Sequence, residues 1–364
     1  MGYRRMTLAE LLGDLVAFRS LTPQDEGLPG FLQLRGRLGL SEEHPPRKGE
    51  AAYARVVVEI LREAQARRGA RLHRLLYLGD TKRNDALTIK ALSHHLPIRG
   101  FIAAESLEES QRIEIKTRVM FANRWEGLAA FQDWLEDFPV DEGTALILDL
   151  DKTAFGARGR NDGAVDSARM AALYRMAEET LGQDFQRESF KALYLKLNKQ
   201  EYHFFTRDNQ DYLAYICLMA VGGAYPPSAL LSDLSSGRLH DLAGFIRRCQ
   251  ENGVPRRLLP IHQEVSQGHL RGDPTPFKGF RRWEYRETVA RMDWLPDTTS
   301  REELLKGEIV LTPEVIEFCH WAKDKGALLF GLTDKPDEAS LPTPKLRAQG
   351  YLPLHHVPMK LAGP

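Results

Sequence analysis

Cysteine is scarce in this 364-residue chain: Cys217, Cys249 and Cys319 are the whole complement, and none belongs to a CxxC pair. An odd, scattered set builds no disulfide framework and argues against a structural zinc site; it suits a reducing, cytoplasmic setting. Net charge is lacking too, with 50 Lys and Arg against 50 Asp and Glu. That balance argues against a dedicated nucleic-acid binder, whose affinity comes from cations placed on phosphates. No apolar run reaches about 18 residues, so no membrane span is expected. The opening "MTLAELLGDLVAF" is broken by Glu10 and Asp14 and reads as an amphipathic helix rather than a signal peptide. Met6 stands where a myristoylation signal needs Ser or Thr. GxxxxGK, GxGxxG, GxSxG and HExxH are all absent, as is any repeat of fixed period.

What the chain has is apolar residues enough, 43%, for packed cores, and length enough for about two domains. Three short apolar runs each end in polar residues: "LLYL" at 75–78 before "GDTKRND", "TALIL" at 144–148 before "DLDKT", and "ALLFGL" at 327–332 before "TDKP". Such runs fit strands buried on both faces of a parallel sheet. Helical patterns precede the first and third. In "PEVIEFCHWAKDKG", Thr312 suits the N-cap, Pro313 the first turn and Gly326 the stop. This alternation predicts an α/β, doubly wound, Rossmann-like parallel sheet. "FPVDEG" at 138–143 reads as the loop into the second run. Residues 156–304 are dominated by helical periodicity and read as an inserted domain. The core is then 45–155 plus 305–364, preceded by an N-terminal helix and irregular connection over 1–44.

Ligands of open α/β sheets bind beyond the carboxyl ends of the strands, where all three polar tails lie. Asp149 and Asp151, on one side of an extended chain with Leu150 on the other, can divide labour. One attacks as a nucleophile while the other protonates the leaving group and then activates water. Asp80 and Asp85, pooled with Asp149, offer hard oxygen ligands for magnesium. Thr333 can hydrogen-bond a phosphoryl oxygen.

"LILDLDKT", "LLFGLT" and "LLYLGDTKRND" together resemble the haloacid dehalogenase superfamily of phosphatases and phosphotransferases, with its hhhhDxDxT, its strand ending in Thr or Ser, and its GDxxxxD. The resemblance implies Asp149 as the phosphorylated nucleophile, Asp151 as acid and base, and Thr333 as phosphoryl binder. It implies Mg2+ held by Asp149, the Asp151 carbonyl, Asp80 and Asp85. The family's lysine corresponds to Lys48 in "RKGEAAYARVVVEIL", with Lys345 and Lys360 as competitors. The motif order differs. Family members run DxDxT, Thr or Ser, Lys, acidic motif, whereas here the acidic motif comes first. Circular permutation at exposed sites reconciles the two. In the family an insertion between the DxDxT strand and the Thr strand is a cap domain, which 156–304 would then be.

The reading is thus a phosphatase acting on a small phosphate monoester. The alternatives are a catalytically silent scaffold of the same fold and a nucleic-acid end-processing phosphatase. The pairs His94–His95 and His355–His356 are expected to be core or solvated rings that cannot face one metal together. "FKGFRRWEYRE" at 277–287 is expected to bury its aromatic side and expose its basic one.

Overall fold

Leu75–Leu78, Ala145–Leu148 and Leu328–Leu332 are buried without interruption, because all three lie inside one sheet with helices on both faces. This is the arrangement in the computed structural model, which describes residues 2–41 and 43–362. The chain up to Ala168 and from Thr288 onward forms one unit, and Arg169–Glu287 another.

The first unit begins with β1 (Arg4–Met6), α1 (Ala9–Leu12), β2 (Val16–Ala17), α2 (Phe31–Arg37), α3 (Ala51–Arg67) and β3 (Arg74–Gly79). It continues through α4 (Asn84–Leu92), β4 (Ile98–Ala103), β5 (Ile113–Lys116), β6 (Val119–Ala122), α5 (Leu128–Trp134) and β7 (Thr144–Asp149). α6 (Asp162–Leu181) leads into the second unit, which holds α7 (Arg187–Leu197), α8 (His203–Thr206), α9 (Gln210–Val221), α10 (Pro227–Ser235), α11 (Leu242–Asn252) and α12 (Leu259–Leu270). α13 (Lys278–Val289) leads back to α14 (Arg301–Gly307), α15 (Pro313–Asp324), β8 (Leu328–Leu332), α16 (Pro344–Arg347) and β9 (Met359–Leu361).

Among the described residues the sheet has seven strands in the order β2-β8-β7-β3-β4-β6-β5, parallel except for β5 on the edge. β1 pairs antiparallel with β9 apart from it. Leu75, Tyr77, Ala145, Ile147 and Phe330 share one core with α2, α3 and α4. Phe101 points the other way, to Phe131 of α5, which packs on Phe318 of α15. The fold is therefore α/β with a mostly parallel central sheet. Among the described residues no helix is long and apolar enough to cross a membrane.

Several local expectations are corrected. The N-terminal helix is only Ala9–Leu12, because Gly13 takes a left-handed φ of 57° and Val16 and Ala17, three and four residues on, are drawn into pairing with β8. The connection expected to be irregular contains α2, and buried Arg19 stitches it to the segment after α2, its guanidinium donating to the carbonyls of Pro46 at 2.7 Å and Pro45 at 3.1 Å. Thr312 does precede α15, but its hydroxyl donates to the Thr153 carbonyl at 2.6 Å instead of capping. Gly326 ends that helix in a left-handed conformation, as its sequence position predicts.

The second unit is narrower than 156–304, its limits falling within α6 and α13. α9 is buried on nearly every side from Asp211 to Ala220, as a helix apolar all round must be. Arg281 is not on an exposed basic side. It is buried, donating to Asp211 at 2.6 Å and to Glu284 at 2.6 Å, while Arg169 reaches Glu284 at 3.0 Å. A buried acid such as Asp211 requires this pairing.

Candidate active site

β3, β7 and β8 are neighbours and parallel, so their carboxyl ends align. Leu78 lies opposite Leu148, and Asp149 opposite Leu332. Asp80 and Thr333 each follow one residue past a strand end at the same edge. Helix α3 runs back against β3, which returns its start, and Lys48, to that edge. Gly49 makes the turn with a φ of 86°, a conformation glycine adopts without penalty. Arg19 anchors Pro45 and Pro46 just before it.

The Lys48 ammonium donates to Asp149 at 2.6 Å and to Asp85 at 3.3 Å. Asp80, Asp85 and Asp149 are buried, and one ligand atom from each lies within 4.8 Å of the others. Asp85 organises the turn after β3. It accepts from the Tyr77 hydroxyl at 2.7 Å, the Asp80 amide at 3.0 Å, and the Thr81 amide and hydroxyl, both at 2.8 Å. Gly79 is needed here because a Cβ would stand 2.7 Å from the Asp85 carboxylate. Asp149 also accepts from the Thr153 hydroxyl at 3.2 Å, and Asp80 pairs with Arg158 and accepts from the Thr81 hydroxyl at 3.2 Å. Lys152, in the turn after β7, holds a φ of 63°, the backbone strain that tends to gather at functional sites.

Three buried carboxylates against two cations strain the ionised state. Burial raises the Asp149 pKa well above the usual carboxylate range, Lys48 opposing it and Asp85 and Asp80 adding to it. Burial and then Asp85 push Asp80 up to about 6, against the pull of Arg158. For Asp85, burial is outweighed by Lys48, Tyr77 and Thr81, and its pKa falls. Burial works against the Lys48 charge, but Asp149, Tyr77 and Asp85 raise its pKa well above the ordinary value.

The set fits a hard divalent cation. It supplies carboxylate oxygens only and carries one negative charge in excess of Lys48 and Arg158. The fit is uneven across the three. A carboxylate has about four lone-pair sites, and the donors around Asp85 already fill them. Asp80 and Asp149 are the open ligands.

Of the expected residues, Lys48, Asp80, Asp85 and Asp149 come together. Lys360 does not join them: it is buried on β9 with Glu308 at 3.0 Å and Asp293 at 3.3 Å. Lys345 is exposed on α16. Asp151 lies outside the carboxylate cluster. β7 ends at Asp149, and the amides of Thr153 and Ala154 turn back to the Leu150 carbonyl at 3.3 and 3.0 Å. The expected extended presentation of both carboxylates therefore gives way to a turn, with Asp151 at 3.8 Å from the Lys335 ammonium. Thr333 is buried, and its hydroxyl accepts the Lys335 amide at 3.2 Å.

Sequence reasoning missed Arg158 and Lys335. Lys335 stands in the "TDKP" tail already singled out, and its proximity to Thr333 was the available signal. Nothing in "GARGRND" marks Arg158, which is aimed at Asp80 by a loop whose Gly156 and Gly159 are both left-handed. His94 and His95 are exposed after α4, as expected. His355 and His356 are not independent, since both rings face Asp14.

Compared with protein-family models, curated proteins and solved structures, the chain finds no match in any of the three.

Proposed function

We propose that this chain is a magnesium-dependent phosphoryl-transfer enzyme with a haloacid dehalogenase-like core, acting as a phosphatase on small phosphate monoesters. One observation carries the reading: the Asp80–Asp85–Asp149 cluster, with Lys48 at 2.6 Å from Asp149, at the carboxyl ends of adjacent parallel strands. In chain order the helical unit stands where that family carries its cap, between the DxDxT strand and the Thr strand.

Asp149 is the nucleophile. Its carboxylate forms a bond to phosphorus as the ester P–O bond breaks, and Asp151 gives the departing oxygen its proton. Asp151 then takes a proton from water, and the resulting hydroxide displaces phosphate from Asp149, restoring both side chains. Asp80 and Asp149 would hold Mg2+, which when bound offsets the negative charge on the nonbridging phosphoryl oxygens. Lys48 orients Asp149, and Thr333 donates its hydroxyl proton to the transferring group.

A binding or scaffold protein of the same fold is the second reading. It is favoured by the pairing of Asp80 with Arg158 and of Asp149 with Lys48, which matches two of the three acids without metal. Phosphate release from an aryl phosphate, with Mg2+ and with EDTA, separates the two readings. Turnover that needs Mg2+ and disappears in Asp149→Asn supports the enzyme. A wild type that neither turns over nor gains thermal stability with Mg2+ refutes it.

A further inference from the structure

Asp14 follows left-handed Gly13 and precedes β2, which pairs with the end of β8, and it is not part of the Asp80–Asp85–Asp149 cluster. His355 and His356 sit in a single helical turn, Leu354–His356, shortly before β9. Adjacent side chains on an extended chain point apart. This turn instead places the two rings 4.3 Å apart, centre to centre. Both Nε2 atoms face one oxygen, Asp14 Oδ1, at 3.0 Å from His355 and 2.8 Å from His356. One ligand atom from each of the three residues lies within 4.8 Å of the others. His355 is buried, and its Nδ1 has no partner, so its polar contact is made at Nε2 alone.

We propose that Asp14, His355 and His356 form a site for a zinc-class divalent ion, separate from the acidic cluster. Two imidazole nitrogens and one carboxylate oxygen suit zinc, cobalt(II) or nickel(II) rather than magnesium. With zinc–ligand bonds of about 2.0–2.2 Å in a tetrahedron, donor atoms stand roughly 3.3–3.6 Å apart. The Asp14 contacts need to open by only about half an ångström to reach this spacing. The Asp14 and His356 side chains are 52% and 39% exposed and free to make that shift, with solvent at hand for a water as fourth ligand. Because β9 pairs with β1, an ion here ties the turn before β2 to the turn before the last strand. It would act as a staple between the two ends of the unit.

The test uses full-length protein stripped of metal with EDTA, and cobalt(II) as the spectroscopic probe. Apart from any cobalt held by the carboxylates of the acidic cluster, the wild type and Asp149→Asn are each expected to bind one equivalent with visible tetrahedral ligand-field bands that zinc abolishes. Zinc should also raise the thermal midpoint. Asp14→Asn and His356→Gln, each checked for folding by circular dichroism, are expected to bind about tenfold more weakly or worse. A wild type that takes up neither cobalt nor zinc overturns the proposal and leaves only hydrogen-bonded His–Asp pairs. Binding that is unchanged in both variants, or lost only in Asp149→Asn, overturns it by placing the ion elsewhere.

Discussion

Replacing Lys48 by Met keeps the length of the side chain and removes the charge that holds the acidic cluster. The Lys48 side chain is only 8% exposed and lies 2.6 Å from Asp149 and 3.3 Å from Asp85. At an effective dielectric constant of about 20, those separations correspond to roughly 6 and 5 kcal/mol of gross attraction. Desolvation of the ammonium takes back several kcal/mol, and breaking a buried pair costs about 3–5 kcal/mol net. Lys48→Met is therefore expected to lose about that much stability at neutral pH. Urea unfolding followed by tryptophan fluorescence reads it, because Trp125, Trp134, Trp294 and Trp321 all lie in the sheet-bearing unit and only Trp283 lies in the other. Millimolar Mg2+ should restore more stability to the variant than it adds to the wild type, since the metal supplies the missing positive charge. Lys360→Met is the control. It removes a fully buried ammonium from Glu308, so it should destabilise at least as much while leaving the response to Mg2+ unchanged. A loss below about 1 kcal/mol in Lys48→Met, against the 3–5 expected of a broken buried pair, or equal Mg2+ responses in both variants, would refute the reasoning.

Gly79→Ala puts a methyl group 2.7 Å from the Asp85 carboxylate and 2.9 Å from the Tyr77 ring. It is expected to cost about 1–3 kcal/mol and to abolish the thermal shift produced by Mg2+, as differential scanning fluorimetry would show. Arg158→Gln removes the cation paired with Asp80 and should tighten Mg2+ binding several-fold in a calorimetric titration; weaker binding would mean that Arg158 orients Asp80 instead of competing for it. Arg281→Met strands the buried carboxylate of Asp211, leaving Glu284 with Arg169. A loss of about 3–5 kcal/mol is expected in the unfolding followed by Trp283 of the helical unit, with Mg2+ binding unaffected.

The three strands that carry the acids were legible because a strand buried on both faces must be apolar at every position, and short unbroken runs of that kind are conspicuous. β4 escaped notice because Arg99 and Gly100 interrupt it. Arg99 reaches out to Asp137 at 2.5 Å, and Gly100 leaves room for Ile89, whose Cδ1 would stand 2.3 Å from a Cβ there. β2 carries no signal of its own. It is two residues long and is a strand only because β8 offers it partners, a tertiary effect that local pattern cannot carry. Within the site, Lys48 was readable as the start of a long amphipathic helix. Arg158 was not, since its aim depends on a loop built of glycine turns. His355 is a core ring and His356 a partly exposed one, as expected, but regular structure predicts that they diverge, and the Leu354–His356 turn instead brings both to Asp14.

The order of the motifs along the chain does not limit where their side chains meet, because the acidic cluster is assembled by adjacency of β3, β7 and β8 and not by which is translated first. What does bear on it is cost. Burying three carboxylates with two cations is a poor way to stabilise a sheet edge, since well-packed apolar residues usually do as well or better by about 1–4 kcal/mol. The chain nevertheless spends Gly79, left-handed Gly49 and the strained Lys152 on holding that edge, a pattern expected where function overrides local stability. The double variant Lys48→Met with Asp149→Leu tests this. If the pair is held at a cost to stability, the double variant should be more stable than Lys48→Met alone, because Asp149 is no longer left buried without its cation; only Asp85 still loses its contact with Lys48 at 3.3 Å. On the proposed function it should also have lost phosphatase activity and the Mg2+ response. A double variant as unstable as Lys48→Met alone would show that the pair fastens this edge better than apolar packing does, and would refute the cost argument.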